Sequence, residues 1–144
     1  MTIKECMCNS ICYCKPDSTI GEVAKSMNHN HIGCMPVCDD SNNLVGIITD
    51  RDIVLRAIAN NKDNNTKVSE IMTVNTISCD SKTELIDASK TMRKEQIRRI
   101  PVTENGKLVG ILTLGDLAKN AQINNEFVGF TAECICLNND KNAE

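Results

Sequence analysis

The chain consists of two copies of one sequence unit, and this repeat limits the possible folds more than any other feature. Displacing the sequence by 65 residues, or by 64 after a turn that is one residue shorter in the second copy, brings matching residues into register. The clearest matches are Glu5 with Glu70, Met7 with Met72, Pro36-Val37 with Pro101-Val102, residues 44–49 with 108–113, and Asp52 with Asp116. Because sequence repeats of this length fold as repeated supersecondary units, both copies are expected to form the same elements.

Each copy is predicted to fold as β-α-β-β-α, which is an α+β architecture. Apolar residues at positions 20, 23, 24 and 27 have the spacing of one helix face, and Thr19 with Glu22 forms a capping box before them. Three strands are predicted in the first copy, at 11–14, 35–38 and 44–48, and three in the second, at 76–79, 100–103 and 108–112. In the first copy, the apolar face of the second helix is predicted to consist of Ile53, Val54, Ala57 and Ile58. The predicted domains are a first motif (1–59), a linker (60–65), a second motif (66–121) and a partly disordered C-terminal tail (122–144) that includes Phe127, Val128 and Phe130.

The composition excludes several classes of function. Lysine and arginine together number 16 against 19 aspartates and glutamates, and no basic run occurs, so neither nucleic acid nor an anionic membrane is a predicted partner. Aromatic residues make up 2%, too few for stacking on single-stranded nucleic acid. No apolar stretch approaches the ~18 residues of a membrane span, and the N-terminus lacks the basic and apolar regions of a signal peptide. A cytoplasmic location is therefore predicted.

Both copies carry the motif Gly-x-x-Thr-x-x-Asp where the last strand meets the second helix. The motif residues are Gly46, Thr49 and Asp52 in the first copy and Gly110, Thr113 and Asp116 in the second. A threonine followed three residues later by an acid is itself a capping box, so a structural role accounts for the spacing. The same arrangement suits a nucleotide, because a hydroxyl beside a helix N-terminus can hold phosphate and the carboxylate can accept hydrogen bonds from a ribose diol. The residues alone leave both interpretations open.

The doubled unit, the proline-containing strand and the motif together resemble a tandem pair of CBS domains, the Bateman module named after cystathionine β-synthase. The resemblance covers about four-fifths of the chain and is strongest to small stand-alone bacterial CBS-pair proteins. It implies two repeats packed with pseudo-two-fold symmetry, a homodimer, no catalytic machinery and no required cofactor. It further implies a regulatory module that binds an adenosine-type ligand (AMP, ADP, ATP, S-adenosylmethionine or NAD) in clefts between the motifs. By changing conformation, the module would signal to an effector protein that the sequence does not identify.

The resemblance also implies which residues bind the ligand. Asp52 and Asp116 would hold ribose, and Thr49 and Thr113 would hold phosphate. The remaining implied contacts are Ile11, Tyr13, Ile32, Pro36 and Arg51 for the first repeat and Thr76, Ser78, Ile97, Arg98, Arg99 and Pro101 for the second.

The two implied sites differ in charge. Arg98 and Arg99 directly precede the second proline-containing strand, where the resemblance implies phosphate-binding basic residues, although such a pair also suits a solvated or interface surface. The first repeat has Gly33-Cys34 at this place. It carries Asp50 and Arg51 inside its motif, where the acid would repel additional phosphates and the arginine would offset it. The two sites are therefore predicted to be inequivalent.

Nine cysteines suggest a second interpretation. Cys6, Cys8, Cys12 and Cys14 are candidates for a four-thiolate metal site, but the C-x-x-C spacing typical of zinc is absent. Cys12 and Cys14 would point to one face of a strand, where free cysteine behaves as a small buried apolar residue. The alternative function is a cysteine-based metal or redox sensor on a CBS scaffold with vestigial nucleotide sites. His29 and His31 are predicted to be surface residues.

Overall fold

The computed structural model describes residues 1–120, 129, 131–133 and 135, which form two compact units. The first-repeat unit comprises Cys12–Thr76 and Gly106–Leu108. The second-repeat unit comprises Met1–Ile11, Ile77–Asn105 and the described residues from 109 onward. The tail predicted at 122–144 lies mostly outside the described residues, including Phe127, Val128, Phe130, Cys134 and Cys136. Within the described part of the chain, no helix combines the length and the hydropathy needed to cross a membrane.

The first-repeat unit contains a helix, a β-hairpin and a second helical segment. Helix α1 is Ile20–Asn30, strand β1 is Cys34–Cys38 and strand β2 is Leu44–Thr49. Helix α2, Asp50–Asp52, continues as a π-helical turn, Ile53–Ala57, and a 3-10 turn, Ile58–Asn60. The β1 and β2 strands pair antiparallel, with Met35 opposite Ile48. The predicted capping box of α1 is confirmed, since the Glu22 N–H donates to Thr19 Oγ1 at 3.2 Å and the Thr19 N–H donates to Glu22 Oε2 at 3.1 Å.

From its first long helix onward, the second-repeat unit has the same order of elements as the first, and the α+β prediction is confirmed. Its elements are β3 (Cys79–Asp80), α3 (Leu85–Glu95), β4 (Arg99–Glu104), β5 (Lys107–Thr113) and α4 (Leu114–Ala118). The first two residues of β5 are grouped with the first-repeat unit. The strands form a sheet in the order β3-β4-β5, with β3 parallel to β4. Asn105 and Gly106 have φ values of 52° and 80°, the left-handed conformations that a two-residue Asn-Gly hairpin turn requires.

Each unit has its own core, and the two cores use matching positions of the repeat. Val23, Val37 and Ile48 are buried in the first-repeat core, and Ala88, Val102 and Leu112 are buried at the corresponding places of the second. Cys14 packs in the first core and Cys79 against the second. Ile135, within the predicted tail, is also buried in the second core.

The compact units do not follow the predicted motif intervals of 1–59 and 66–121. A short 3-10 helix, Ile3–Glu5, belongs to the second-repeat unit, where the Ile3 N–H donates to the Thr83 carbonyl at 2.9 Å. A matching one, Val68–Glu70, belongs to the first-repeat unit, and Val68 and Ile71 are buried in its core. The short 3-10 helix at the start of each repeat therefore belongs to the unit that is otherwise formed by the other repeat.

Two details of the sequence prediction are wrong. The strand predicted at 11–14 is reduced to a single β-bridge between Cys14 and Val37. The strand predicted at 76–79 begins only at Cys79. In both segments, few residues pair with a neighbouring strand. The apolar face predicted for the second helix is only partly buried. Ala57 is fully buried, but Val54 and Ile58 are 51% and 62% exposed, so part of this apolar surface has no cover within the chain's described residues.

Candidate functional site

The two motif threonines and aspartates form a reciprocal capping box in each unit. The Asp52 N–H donates to Thr49 Oγ1 at 3.1 Å and the Thr49 N–H donates to Asp52 Oδ2 at 3.0 Å. In the second-repeat unit, Asp116 N–H to Thr113 Oγ1 is 3.1 Å and Thr113 N–H to Asp116 Oδ2 is 2.8 Å. All four residues are half-buried. The motif therefore caps the second helix in both repeats. Each aspartate uses only one of its two carboxylate oxygens in the cap.

Arg56 is a site residue that the sequence prediction missed. Its Nε lies 3.6 Å from Asp52 Oδ1, and its Nη1 donates to the Ile71 carbonyl at 3.1 Å. The arginine thus links the motif aspartate to the segment that follows the linker. The sequence could have predicted this ion pair, because Asp52 and Arg56 are four residues apart on a predicted helix, a spacing at which opposite charges interact.

Equivalent backbone hydrogen bonds tie the start of each second helix to the residue before the proline-containing strand. The Asp50 N–H donates to the Gly33 carbonyl at 3.0 Å, and the Leu114 N–H donates to the Arg98 carbonyl at 2.9 Å. A Cβ atom added to Gly33 would lie 2.8 Å from Asp50 Oδ2, so the carboxylate fills the space where a side chain at position 33 would begin. In the second repeat, Arg98 and Arg99 are both exposed at this place.

The other implied ligand residues fall in both units. Ile32 packs against the first core and Ile97 against the second, while Pro36 and Pro101 are buried. The remaining ones are Tyr13, Arg51 and Thr76 in the first-repeat unit and Ile11, Ser78, Arg98 and Arg99 in the second. A pocket of about 170 Å³ in the first-repeat unit is lined by Tyr13, Cys14, Ser18, Glu22, Val23, Ser26 and Met35. It is smaller than the roughly 300 Å³ at which complete small-molecule sites begin, so it could accommodate only part of a nucleotide.

The four candidate metal-binding cysteines form no recognisable metal site among the described residues. Cys6 and Cys8 belong to the second-repeat unit and Cys12 and Cys14 to the first. Over the described ranges, no group of three or more histidine, cysteine, aspartate or glutamate side chains converges in a way that could hold a metal ion. Burial raises the pKa of the Cys14 thiol to about 12, with a smaller contribution from Cys38. Both predicted surface histidines, His29 and His31, are exposed.

Comparison with known proteins matches both repeats to one family. The family model for the CBS domain matches residues 3–58 and 68–122. The CBS domain-containing protein YhcV of Bacillus subtilis is 41% identical over 128 residues, which cover 89% of this chain and 90% of YhcV.

Three similar solved structures contain bound metal ions or adenosine compounds. Hypoxic Response Protein I, described with two coordinated zinc ions, has a TM-score of 0.77 and 30% identity, covering 83% of this chain and 98% of that one. The CBS domain pair of MJ0100, in complex with 5′-methylthioadenosine and S-adenosyl-L-methionine, has a TM-score of 0.72 and 29% identity, covering 83% and 94%. CBSX2 in complex with AMP has a TM-score of 0.74 and 26% identity, covering 84% and 96%. With both repeats matched, the chain belongs to the CBS domain family and carries two CBS domains in tandem.

Proposed function

We propose that this CBS pair is a non-catalytic regulatory module that binds an adenosine-type ligand at the Thr49/Asp52 and Thr113/Asp116 junctions. The observation that carries the proposal is the pair of capping boxes, because each leaves a carboxylate oxygen outside the cap. That oxygen is suited to accept charge-assisted hydrogen bonds from a ribose. Support also comes from CBS-pair structures described with AMP and with S-adenosyl-L-methionine.

Signalling follows from linkage rather than from chemistry at the site. A ligand that binds one conformation of the module better than another shifts the population toward it by its differential affinity. The proposal therefore requires neither a catalytic group nor a cofactor, and an effector protein senses the shift. A cytoplasmic location is part of the proposal, because no disulfide joins any of the seven described cysteines and the cytosol keeps thiols reduced.

The test is a thermal-shift and calorimetric panel with AMP, ADP, ATP, S-adenosylmethionine and NAD on the full chain. A ligand at 100 times its Kd adds about 2.7 kcal/mol of stability. In Asp52→Asn and Asp116→Asn the amide oxygen can still accept the cap bond, but the charge-assisted bonds to ribose are lost. Since such bonds contribute about 1.5 to 3 kcal/mol each, affinity at the altered site should fall by roughly 10-fold to 150-fold.

The control is Asp40→Asn, which removes an exposed carboxylate of the first-repeat unit and should leave binding unchanged. If no adenosine compound raises the melting temperature of the wild-type protein, the proposed function is wrong. If binding occurs but survives both motif substitutions unchanged, the assignment of the junctions is wrong.

The alternative, a cysteine-based metal or redox sensor, has one observation in its favour. Hypoxic Response Protein I, at 30% identity, is described with two coordinated zinc ions. Among the described residues no group of three or more histidine, cysteine, aspartate or glutamate side chains could hold a metal ion, which argues against a four-thiolate site built from Cys6, Cys8, Cys12 and Cys14. A zinc titration separates the two functions. Stabilisation by zinc alone, with no response to any nucleotide, would favour the metal sensor.

The proposal includes a homodimer, and the exposed apolar side of the second helix is the surface we assign to it. Val54, Leu55 and Ile58 are 51%, 48% and 62% exposed, and contiguous apolar surface of this kind marks interaction sites. Leu55→Glu should convert a dimer to a monomer in light scattering after gel filtration. Ile86→Glu, at an exposed position of α3 (50% exposed), is the matched control and should leave the mass unchanged. A monomeric wild-type protein would contradict this assignment.

A further inference from the structure

We propose that the two sites select different adenosine ligands by the charge of the ligand's 5′ substituent. This inference rests on the proposed function. The first-repeat site takes an adenosine whose 5′ substituent is neutral or cationic, such as a thioether or a sulfonium. The second-repeat site takes an adenosine phosphate. The selecting residue in the first site is Asp50, and its counterpart in the second is Arg98.

Positions 33 and 98 are equivalent in structure as well as in sequence. Each offers its backbone carbonyl to the first N–H of the following helix, from Asp50 at 3.0 Å and from Leu114 at 2.9 Å. In the first repeat the pair is glycine and aspartate, and the carboxylate occupies the space beside the glycine Cα. In the second repeat the pair is arginine and leucine. One place in the fold thus carries a negative charge in one repeat and a positive charge in the other.

Among the residues that the structure describes, the Asp50 carboxylate forms no ion pair. Its Oδ1 accepts a hydrogen bond from the Arg51 N–H at 2.8 Å, and over the described residues no lysine, arginine or histidine nitrogen lies within 4.0 Å of it. Asp50 and Arg51 line one surface depression together with Val54 and Leu55, and no ion pair joins the two charged side chains. By contrast, Asp52 has Arg56 at 3.6 Å. Of the two carboxylates at the first junction, Asp50 is therefore the one without an ion pair among the described residues.

This charge acts on the part of the ligand that distinguishes adenosine compounds. All of them share the ribose that Asp52 and Asp116 would bind, but they differ in the charge carried at the 5′ carbon. At a fully solvent-exposed site, where water screens the interaction, a unit charge about 4 Å from another changes affinity by about fivefold to tenfold. A phosphate is therefore disfavoured beside Asp50 and favoured beside Arg98 and Arg99, whereas a sulfonium is favoured beside Asp50.

The experiment isolates one site at a time in the full chain and measures Kd by calorimetry for adenosine, AMP and S-adenosylmethionine. With the second site weakened by Asp116→Asn, S-adenosylmethionine should bind at least tenfold more tightly than AMP. Adding Asp50→Asn should reduce this preference by about fivefold to tenfold without changing adenosine affinity. With the first site weakened by Asp52→Asn, AMP should be preferred, and Arg98→Gln should weaken AMP about fivefold and leave adenosine unchanged.

Equal affinity of the isolated first site for AMP and S-adenosylmethionine would overturn the proposal, as would a preference that survives Asp50→Asn. Both outcomes leave the proposed function intact, because adenosine still binds. Failure of adenosine, AMP and S-adenosylmethionine alike to bind the wild-type protein would instead overturn the proposed function. Asp50 is exposed and asparagine has the same shape, so the folded state of this variant can be verified by its thermal melt before binding is measured.

Discussion

Alkylation of the native protein should leave the Cys14 thiol intact while the exposed Cys8 reacts. Cys14 is 8% exposed, and its Sγ faces the Pro36 carbonyl at 3.8 Å inside the first-repeat core. Burial raises its pKa to about 12, because the charged thiolate loses its hydration. Since the thiolate is the reacting species, both access and ionisation oppose the reaction.

The size of the effect follows from the pKa. At pH 7.5, a thiol with the ordinary pKa of about 8.5 is roughly 9% thiolate, whereas one at about 12 is roughly 0.003% thiolate, a difference of about 3,000-fold. A more basic thiolate is also a better nucleophile, which recovers about 40-fold for a Brønsted coefficient near 0.45. The net chemical slowing is therefore about 80-fold, and steric protection by the core adds to it.

The assay is a time course with iodoacetamide at pH 7.5, followed by peptide mass spectrometry of each cysteine. Protein unfolded in guanidinium chloride is the control, in which Cys14 and Cys8 should react at similar rates. Labelling of native Cys14 within tenfold of the rate at Cys8 would refute the assignment of this thiol to the core. Such a result would also favour the alternative function, a cysteine-based sensor, because a sensor of this kind needs accessible thiolates.

Two further predictions concern stability. Gly46→Ala should destabilise the protein by about 1 to 3 kcal/mol in urea unfolding, because its Cβ would lie 2.8 Å from Met72 Sδ and 2.9 Å from the Thr73 carbonyl oxygen. Gly115→Ala is the control and should be neutral or stabilising, because its Cβ would make an ordinary contact with Thr113 Oγ1 at 3.5 Å. The second prediction concerns alkaline pH. Because the folded pKa of Cys14 is raised, the unfolded chain loses this proton first, so the unfolding free energy should fall as the pH rises from about 8.5 toward about 12. This fall should be smaller in Cys14→Val, and equal pH dependence in both proteins would contradict the assigned pKa.

The repeat, the class of fold and the family could all be predicted from the sequence, because each rests on local patterns. The apolar spacing around Val23 and the capping box at Thr19 act within one helix, and the Asn105-Gly106 turn acts within one hairpin. The motif threonines and aspartates are also local, since each capping box closes within four residues. Whether these groups bind a ligand as well as cap a helix remains a prediction.

Contacts between residues distant in sequence were decided only by the tertiary structure. The sequence did not indicate that Ile3 would be buried with Leu85, or Ile71 with Val23, because an apolar residue can satisfy the same pattern in either repeat. The helical periodicity of the second helix also could not separate the buried Ala57 from the exposed Ile58, since periodicity does not say how wide a face the neighbouring elements cover. The contact between the Asp50 carboxylate and Gly33 is also a tertiary one. The β-hairpin brings position 33 beside the start of the second helix, 17 residues further along the chain.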